Sequence, residues 1–271
     1  MSIRKIFESN IVLFGYGKMG GALLAGWINS GLKLKNTYVF DPLPSEELLS
    51  LARSGATINP TLPLKAGICI FAVKPQVIDE LLNSFPRNVT FPVLISVIAG
   101  TPLSKFKSAF GPGVNICRVM PNTPALVAAG ISAIYGESDM NRKDLEKVEL
   151  LMSAVGSTVL LDNELAIDAA TAISGSGPAY MFLMMEAMAS AGVELGLSYD
   201  IALKLAKHTV LGSGKLSLQS DLNPQILRDN VTSPGGTTEA ALNVLLSNDK
   251  FRLTMKEAIK SAYKKSMDLR S

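Results

Sequence analysis

The sequence predicts an α/β fold in two parts, a doubly wound parallel sheet over residues 1–163 and an all-helical domain over residues 164–271. Three observations carry that expectation. A glycine-rich turn, Gly15-x-Gly17-x-x-Gly20, follows an apolar run close to the N-terminus. Short apolar runs of the kind buried in parallel sheets recur through the first half, separated by helical patterns. From Leu165 onward no convincing strand remains, and the patterning is helical.

The glycine turn organises the rest. Ile11-Val-Leu-Phe14 reads as a buried strand that runs straight into Gly15, and an Ala-rich helical pattern follows to Ser30. In this arrangement Gly15 permits the tight turn, Gly17 lets the backbone approach a diphosphate, and Gly20 lets the helix pack on the strand. The first-turn N–H groups have no partners within the helix and sit at the positive end of its dipole, so a diphosphate is a favourable guest. Three glycines also coincide in ordinary turns. The order of strand, loop and helix at the head of the chain is what favours a dinucleotide site on a Rossmann-type sheet.

Composition narrows the class. At 271 residues the chain fits one large domain or two ordinary ones. It is 48% apolar and 18% charged, which excludes disorder. A mean hydropathy of +0.28 raises the question of a membrane. However, Glu8, Ser9 and Asn10 interrupt any secretory apolar core, and Pro178–Leu197 carries Glu186 and Glu194. The surplus apolarity is read as subunit interface. The net charge of +3 is spread along the chain with little aromatic interleaving, which argues against nucleic acid as a partner. Cys69 and Cys117 sit in strand-like runs without metal spacing, so buried free thiols in a cytoplasmic protein are expected and no metal is predicted.

In chain order, Thr37–Phe40 reads as the second strand and ends at Asp41, 21 residues past Gly20. A carboxylate there can accept from the adenosine ribose hydroxyls and repel a 2′-phosphate, which taken alone favours NAD. The alternative is that Asp41-Pro42 only starts the turn before a helix that Ser45 caps and that carries Glu46 and Glu47 in its first turn. Ile68–Ala72, Val93–Val97 and Val114–Met120 are further strands, ending in Ala72-Val-Lys-Pro75, Ile98-Ala-Gly100 and Pro121-Asn-Thr-Pro124. Small residues at these carboxyl ends leave room for a cofactor, although ordinary loops tolerate them too. Gly130–Tyr135 and Ser157–Leu161 are the last strand candidates, with an amphipathic helix over Arg142–Ala154 between them.

The second half reads as helices over Pro178–Leu197, Asp200–Gln219, Thr237–Ser247 and Phe251–Leu269, several apolar on more than one face. The Met- and Phe-rich stretch Met181–Met188 is expected to be core material. Two polar islands interrupt the pattern. Ser174-Gly-Ser-Gly-Pro-Ala-Tyr180 reads as a flexible loop before a long helix. Asp229-Asn-Val-Thr-Ser-Pro-Gly-Gly-Thr-Thr-Glu239 puts glycines ahead of a helix start, where the N–H groups of Gly235 to Thr238 suit a carboxylate. Equally, Ser-Pro-Gly-Gly is linker material and Thr237 or Thr238 a helix cap. His208, the single histidine, is expected on an outer helix face without a catalytic role.

These islands, with Gly15–Gly20, Ala72–Pro75 and Met120–Pro124, resemble the pyrroline-5-carboxylate reductase family along essentially the whole chain. The resemblance implies hydride transfer from NADPH or NADH to the C=N carbon of 1-pyrroline-5-carboxylate, giving L-proline. It also implies homodimers formed through the helical domain, often built further into decamers of five dimers. Carried over by position, Phe14, Gly15, Tyr16, Gly17, Lys18, Met19, Asp41, Asn59, Ala72, Val73, Lys74, Pro75, Val97, Ile98, Ala99, Glu164, Asn230 and Thr237 would line the cofactor. Ser233, Gly235, Gly236 and Thr238 would hold the substrate, with Thr238 the catalytic hydroxyl. Relatives with a strong NADPH preference place Ser, Thr, Asn or Arg where this chain has Asp41-Pro-Leu43, so NADP and NAD both remain candidates. Met19-Gly20 also departs, conservatively, from the Ala that many relatives place there.

Imine reduction needs hydride, an electrophilic carbon and a hydrogen-bonded nitrogen, and requires no metal, nucleophile or His–Asp pair. A 3-hydroxyacid dehydrogenase on a similar plan would need a helix lysine, and none falls within Ser174–Tyr199 or Ser233–Asn248. A redox sensor that binds nucleotide without turnover is the alternative from a different class.

Overall fold

The computed structural model describes residues 2–61, 67–85, 91–137 and 140–270. The chain divides into two compact units, Met1–Ser176 with Ala262–Ser271, and Gly177–Ser261.

In the first unit, α1 (Ile3–Ile6) leads into β1 (Ile11–Phe14), α2 (Lys18–Asn29), β2 (Thr37–Phe40), α3 (Glu46–Arg53) and β3 (Thr57–Ile58). There follow β4 (Ile68–Phe71), α4 (Ile78–Ser84), β5 (Leu94–Ser96), α5 (Leu103–Phe110) and β6 (Ile116–Met120). The unit continues with β7 (Gly130–Gly136), α6 (Arg142–Ser153), β8 (Gly156–Leu160) and α7 (Ala166–Ala170). The strands form one sheet in the order β3-β2-β1-β4-β5-β6-β7-β8. Chain order therefore reverses beside β1: β2 pairs on one side and β4 on the other, both parallel to it. Ligands of such sheets bind outside the strand carboxyl ends at that switch point.

Strand residues alternate between two cores. Ile11 and Leu13 join Leu23, Leu24, Trp27, Leu48, Val148 and Leu151 on the face covered by α2, α3 and α6. Val12 and Phe14 join Ile78, Leu82, Leu103 and Phe106 on the face covered by α4 and α5. This is why the strands read as continuous apolar runs rather than as alternating ones. Ser45 caps α3 as expected, accepting a hydrogen bond from the Leu48 N–H at 3.3 Å.

One strand pairing departs from the parallel expectation, and it reverses both β7 and β8. β7 runs antiparallel to β6, with Met120 opposite Ala133. The link between them holds only a 3-10 turn at Thr123–Val127, and a parallel pairing needs a crossover of a dozen or more residues.

The second unit contains α8 (Gly177–Glu194), α9 (Tyr199–Gln219), α10 (Pro224–Asn230), α11 (Thr237–Leu246) and the first part of α12 (Lys250–Asp268). The remainder of α12 belongs to the first unit. Gly196, at φ +97°, ends α8: its N–H donates to the Val193 carbonyl at 2.9 Å, and that of Leu197 donates to Gly192 at 3.1 Å. Gly192 also lets α9 approach closely, since a Cβ there would lie 2.9 Å from the Ala202 Cβ.

Two expectations for this half are corrected. Ser174–Tyr180 is not a flexible loop. Thr171–Gly175 forms a π-helical turn, in which the Ser176 N–H reaches the Thr171 carbonyl, and α8 begins at Gly177. The Met181–Met188 stretch is not core of its own chain, because Phe182 is 60% and Leu183 64% exposed. His208 lies exposed on α9. Among the described residues no helix is long and apolar enough to cross a membrane, and no group of acidic, His and Cys side chains is arranged to hold a metal ion.

Candidate active site

The switch point has an aromatic floor. Phe14, Phe40 and Phe71 end β1, β2 and β4 in register. Their rings stack, with Phe14 centroids 4.5 Å from Phe40 and 5.0 Å from Phe71 and interplanar angles near 10°. The next residue on each strand, Gly15, Asp41 and Ala72, therefore emerges at one level. Phe14 itself is 2% exposed and serves as floor rather than as wall.

Above the floor the glycines behave as their spacing requires. Gly15 has φ +94°, and a Cβ there would lie 2.7 Å from the Ala72 carbonyl oxygen. A Cβ on Gly20 would collide with the Gly15 carbonyl. Gly17, the N-cap of α2, is exposed, and a Cβ added to it meets nothing within 4 Å. Backbone thus closes on itself at Gly15 and Gly20 and opens to space at Gly17. That cradle at a twelve-residue helix N-terminus fits a dinucleotide diphosphate. Lys18 is exposed and Met19 half-buried beside it.

Asp41 ties the second strand to this loop. Its Oδ2 accepts from the Tyr16 N–H at 2.8 Å and its Oδ1 from the Leu43 N–H at 2.9 Å. Asn59, at φ +48°, clamps the Asp41 backbone from the other side, accepting from its N–H at 2.9 Å and donating to its carbonyl at 2.8 Å. Asp41 therefore does shape the turn, while its carboxylate stays only half-buried at the strand end. The Tyr16 hydroxyl hydrogen-bonds Glu47, and partial burial with that carboxylate's charge pushes its pKa up to about 12. Tyr16 stays a donor throughout the physiological range.

Of the neighbouring loops, Ala72 and Val73 are half-buried, Lys74 is exposed and Pro75 opens a 3-10 turn before α4. After β5, Val97 and Ile98 are buried with 8% and 1% exposure, leaving Ala99 as the accessible side chain. Glu164 is held by ions: its Oε1 lies 3.4 Å from Arg118 and 3.5 Å from Arg270, and accepts from the Leu103 N–H at 2.9 Å. Arg118 was not anticipated from sequence. It lies inside the apolar run Ile116–Met120, is fully buried, and pairs with the fully buried Asp168 at 3.2 Å. A charge in the middle of a buried strand was the available signal.

Asn230, Ser233, Gly235, Gly236, Thr237 and Thr238 lie in the second unit, between α10 and the first turn of α11. Asn230, Ser233, Gly235 and Thr237 are exposed, and Gly236 and Thr238 half-buried. Of the N–H groups from Gly235 to Thr238 that suit a carboxylate, two already have partners within the chain. The Gly235 N–H donates to Glu239 Oε2 at 2.7 Å and the Gly236 N–H to the Ser233 carbonyl at 3.0 Å. Glu239, three residues past the cap Gly236, reaches back as helix-start glutamates do. A carboxylate therefore already sits on the segment that the sequence assigns to one.

Comparison with known proteins gives this geometry its relatives. Residues 164–269 match a family model described as pyrroline-5-carboxylate reductase dimerisation, and residues 10–100 match one described as NADP oxidoreductase, coenzyme F420-dependent. The pyrroline-5-carboxylate reductase of Pseudomonas aeruginosa is 35% identical over 264 residues, covering 96% of both chains. That of Synechocystis is 44% identical over 202 residues, 74% of each chain. The solved pyrroline carboxylate reductase of Plasmodium falciparum, with NADP bound, superposes with a TM-score of 0.84 at 31% identity, covering 97% of this chain and 98% of the other. The Coxiella burnetii enzyme gives the same TM-score at 32% identity over 97% and 99%. Sequence and backbone agree over almost the whole length, and the chain belongs to the pyrroline-5-carboxylate reductase family.

Proposed function

We propose that the protein reduces 1-pyrroline-5-carboxylate to L-proline, the last step of proline biosynthesis, as an NAD(P)H-dependent oxidoreductase. The observation that carries this reading is the Asp229–Glu239 segment, which stands at the start of α11 in a chain related to such reductases over nearly its full length. A nicotinamide nucleotide bound there would supply the hydride for the imine carbon, and a proton taken up at the ring nitrogen would complete the amine. The glycine loop would hold the diphosphate, with Lys18 and Met19 beside it. Asp41 and Asn59 would meet the adenosine ribose, and Ala72–Pro75, Val97–Ala99 and Glu164 would border the rest of the nucleotide, with Asn230 and Thr237 as further contacts. For Val97 and Ile98 that contact is made by backbone, since their side chains are buried.

The substrate carboxylate would bind Ser233, Gly235 and Gly236, displacing the Glu239 carboxylate from the Gly235 N–H. The Thr238 hydroxyl would then bond the ring nitrogen and relay a proton to it from solvent, taking one from water as it gives up its own. Both NADPH and NADH are taken as donors. Unit two exposes Leu183, Leu195, Val244 and an open apolar groove of about 960 Å³ bordered by Leu183, Met184, Val244 and Phe251. That surface supports a homodimer through the helical domain from residue 164 onward, which can stack into a decamer of five dimers. The cytoplasm is the proposed compartment, where Cys69 and Cys117 would remain buried thiols.

Turnover of 1-pyrroline-5-carboxylate with NADPH and with NADH tests the assignment; a purified protein that binds nucleotide without turnover would point to a sensor instead. Thr238→Ala tests the chemistry. It should lower kcat/KM roughly ten- to 150-fold, as expected from one lost hydrogen bond worth ~1.5–3 kcal/mol. Cofactor affinity should hold, and Thr238→Ser should recover much of the loss. Loss of catalysis in Thr237→Ala instead, with cofactor binding intact, would reassign the hydroxyl.

A further inference from the structure

We propose that the last residues of the chain, Ser266 to Arg270, act as a positioning strap for the cofactor loop Val97–Thr101, anchored through the buried carboxylate of Asp168. The proposal rests on the reading of Val97–Ala99 as cofactor-lining. Three contacts carry it, all within the first unit.

The first is at the loop itself. Gly100 adopts φ +69°, and a Cβ there would collide with the Leu269 side chain and lie 2.7 Å from the Leu269 carbonyl oxygen. The loop's turn is therefore in close contact with the C-terminal segment. The second contact is the anchor. Ser266 Oγ donates to Asp168 Oδ1 at 2.8 Å, and the Arg270 guanidinium lies 3.2 Å from Asp168 Oδ2 and 3.5 Å from Glu164 Oε1. Arg118, from β6, meets the same two carboxylates at 3.2 and 3.4 Å. Two cations thus balance two carboxylates, with Arg118 and Asp168 wholly inaccessible to water. The third contact returns to the loop's far end, where Glu164 Oε1 accepts from the N–H of Leu103, the first residue of α5.

The physical consequence follows from the charge balance. Remove Arg270, and two carboxylates face one buried guanidinium, an arrangement that low dielectric penalises. Glu164 is the partly exposed member, so it is the one that can turn away, releasing the Leu103 N–H together with the Leu269 contact at Gly100. The loop is then loosened at both ends, while Thr238 and its segment are untouched.

The test uses the full-length protein. Arg270→Met should raise the NADPH Kd by calorimetry, and KM for NADPH, by about 3- to 30-fold, the range found for residues coupled to a site without touching its ligand. The kcat and the imine KM should stay within about twofold. Arg270→Lys, which keeps the charge and loses the planar fork, should fall between. A cluster that only stabilises the fold would lower Tm and leave both nucleotide constants of the folded enzyme unchanged, and that result overturns the proposal. Should Arg270→Met not fold, Ser266→Ala removes one hydrogen bond and no charge; a raised NADPH Kd supports the strap and an unchanged one overturns it. Ala99→Trp separates the underlying reading from the strap. If it leaves NADPH binding intact, the loop does not line the cofactor and the strap falls with it. If it blocks binding while Arg270→Met and Ser266→Ala change nothing, the loop reading stands and the strap alone is wrong.

Discussion

Gly17 is the residue where a side chain has room in the folded chain and, on the proposed reading, would have none beside a bound diphosphate. An added Cβ meets no atom within 4 Å there, whereas at Gly15 and Gly20 it meets backbone. Gly17→Val should therefore fold with a Tm close to that of the parent and lose nucleotide affinity, because its methyl groups stand between the α2 amides and the phosphates. Calorimetry that finds NADPH bound as tightly by the variant would move the diphosphate away from this loop. The three glycines were legible because each meets a separate steric demand within six residues. Arg118 was not, because a single charge inside Ile116–Met120 does not disturb the apolar pattern that identifies a strand. What satisfies it, Asp168 and Glu164, lies about fifty residues further along the chain.

At the scale of elements, the end of β2 is joined to the glycine loop by the bond from the Tyr16 N–H to Asp41. Asp41→Ser removes a negative charge from the strand end and shortens the reach to that N–H. The kcat/KM ratio of NADPH over NADH should rise, since the carboxylate no longer repels a 2′-phosphate. Absolute affinity for NADH, which gains nothing from the lost charge, should fall slightly as the tie to the loop is lost. An unchanged ratio would leave Asp41 as a turn residue alone. The strands that build this edge were readable from sequence, because a strand covered on both faces is a run of apolar residues whatever its neighbours. Strand direction was not. β7 looks like the others in composition, and only the short link through Thr123–Val127 turns it antiparallel to β6. Nor was the π-helical turn at Thr171–Gly175, since glycines and serines there are equally the composition of a loop. The Ser174 carbonyl accepts from the Asn122 side chain at 3.1 Å, a long-range bond that helps hold this segment in helical form. At the start of α11 the residue types were legible, but the occupation of the Gly235 N–H by Glu239 was not, because Glu239 serves equally well as an unpaired first-turn acid.

At the scale of the whole molecule, the division into two compact units raises the question of whether they unfold together. The chain carries one tryptophan, Trp27. It sits wholly inside the first unit on α2, and its indole N–H donates to the Leu151 carbonyl on α6 at 2.9 Å. Its emission is therefore a private signal of the sheet-bearing unit, to which the helices of residues 177–261 contribute nothing. Far-ultraviolet circular dichroism, by contrast, is weighted toward those long helices. Heating should move the tryptophan emission to longer wavelength when α2 and α6 part. If the units melt as one body, the emission and ellipticity curves coincide; if they are separate cooperative bodies, the two midpoints differ. Bound NADPH should raise the emission midpoint, since a ligand held by the native form alone stabilises it by mass action. A single indole, placed by the sequence where α2 crosses α6, thus labels one half of the protein without any chemistry being done to it.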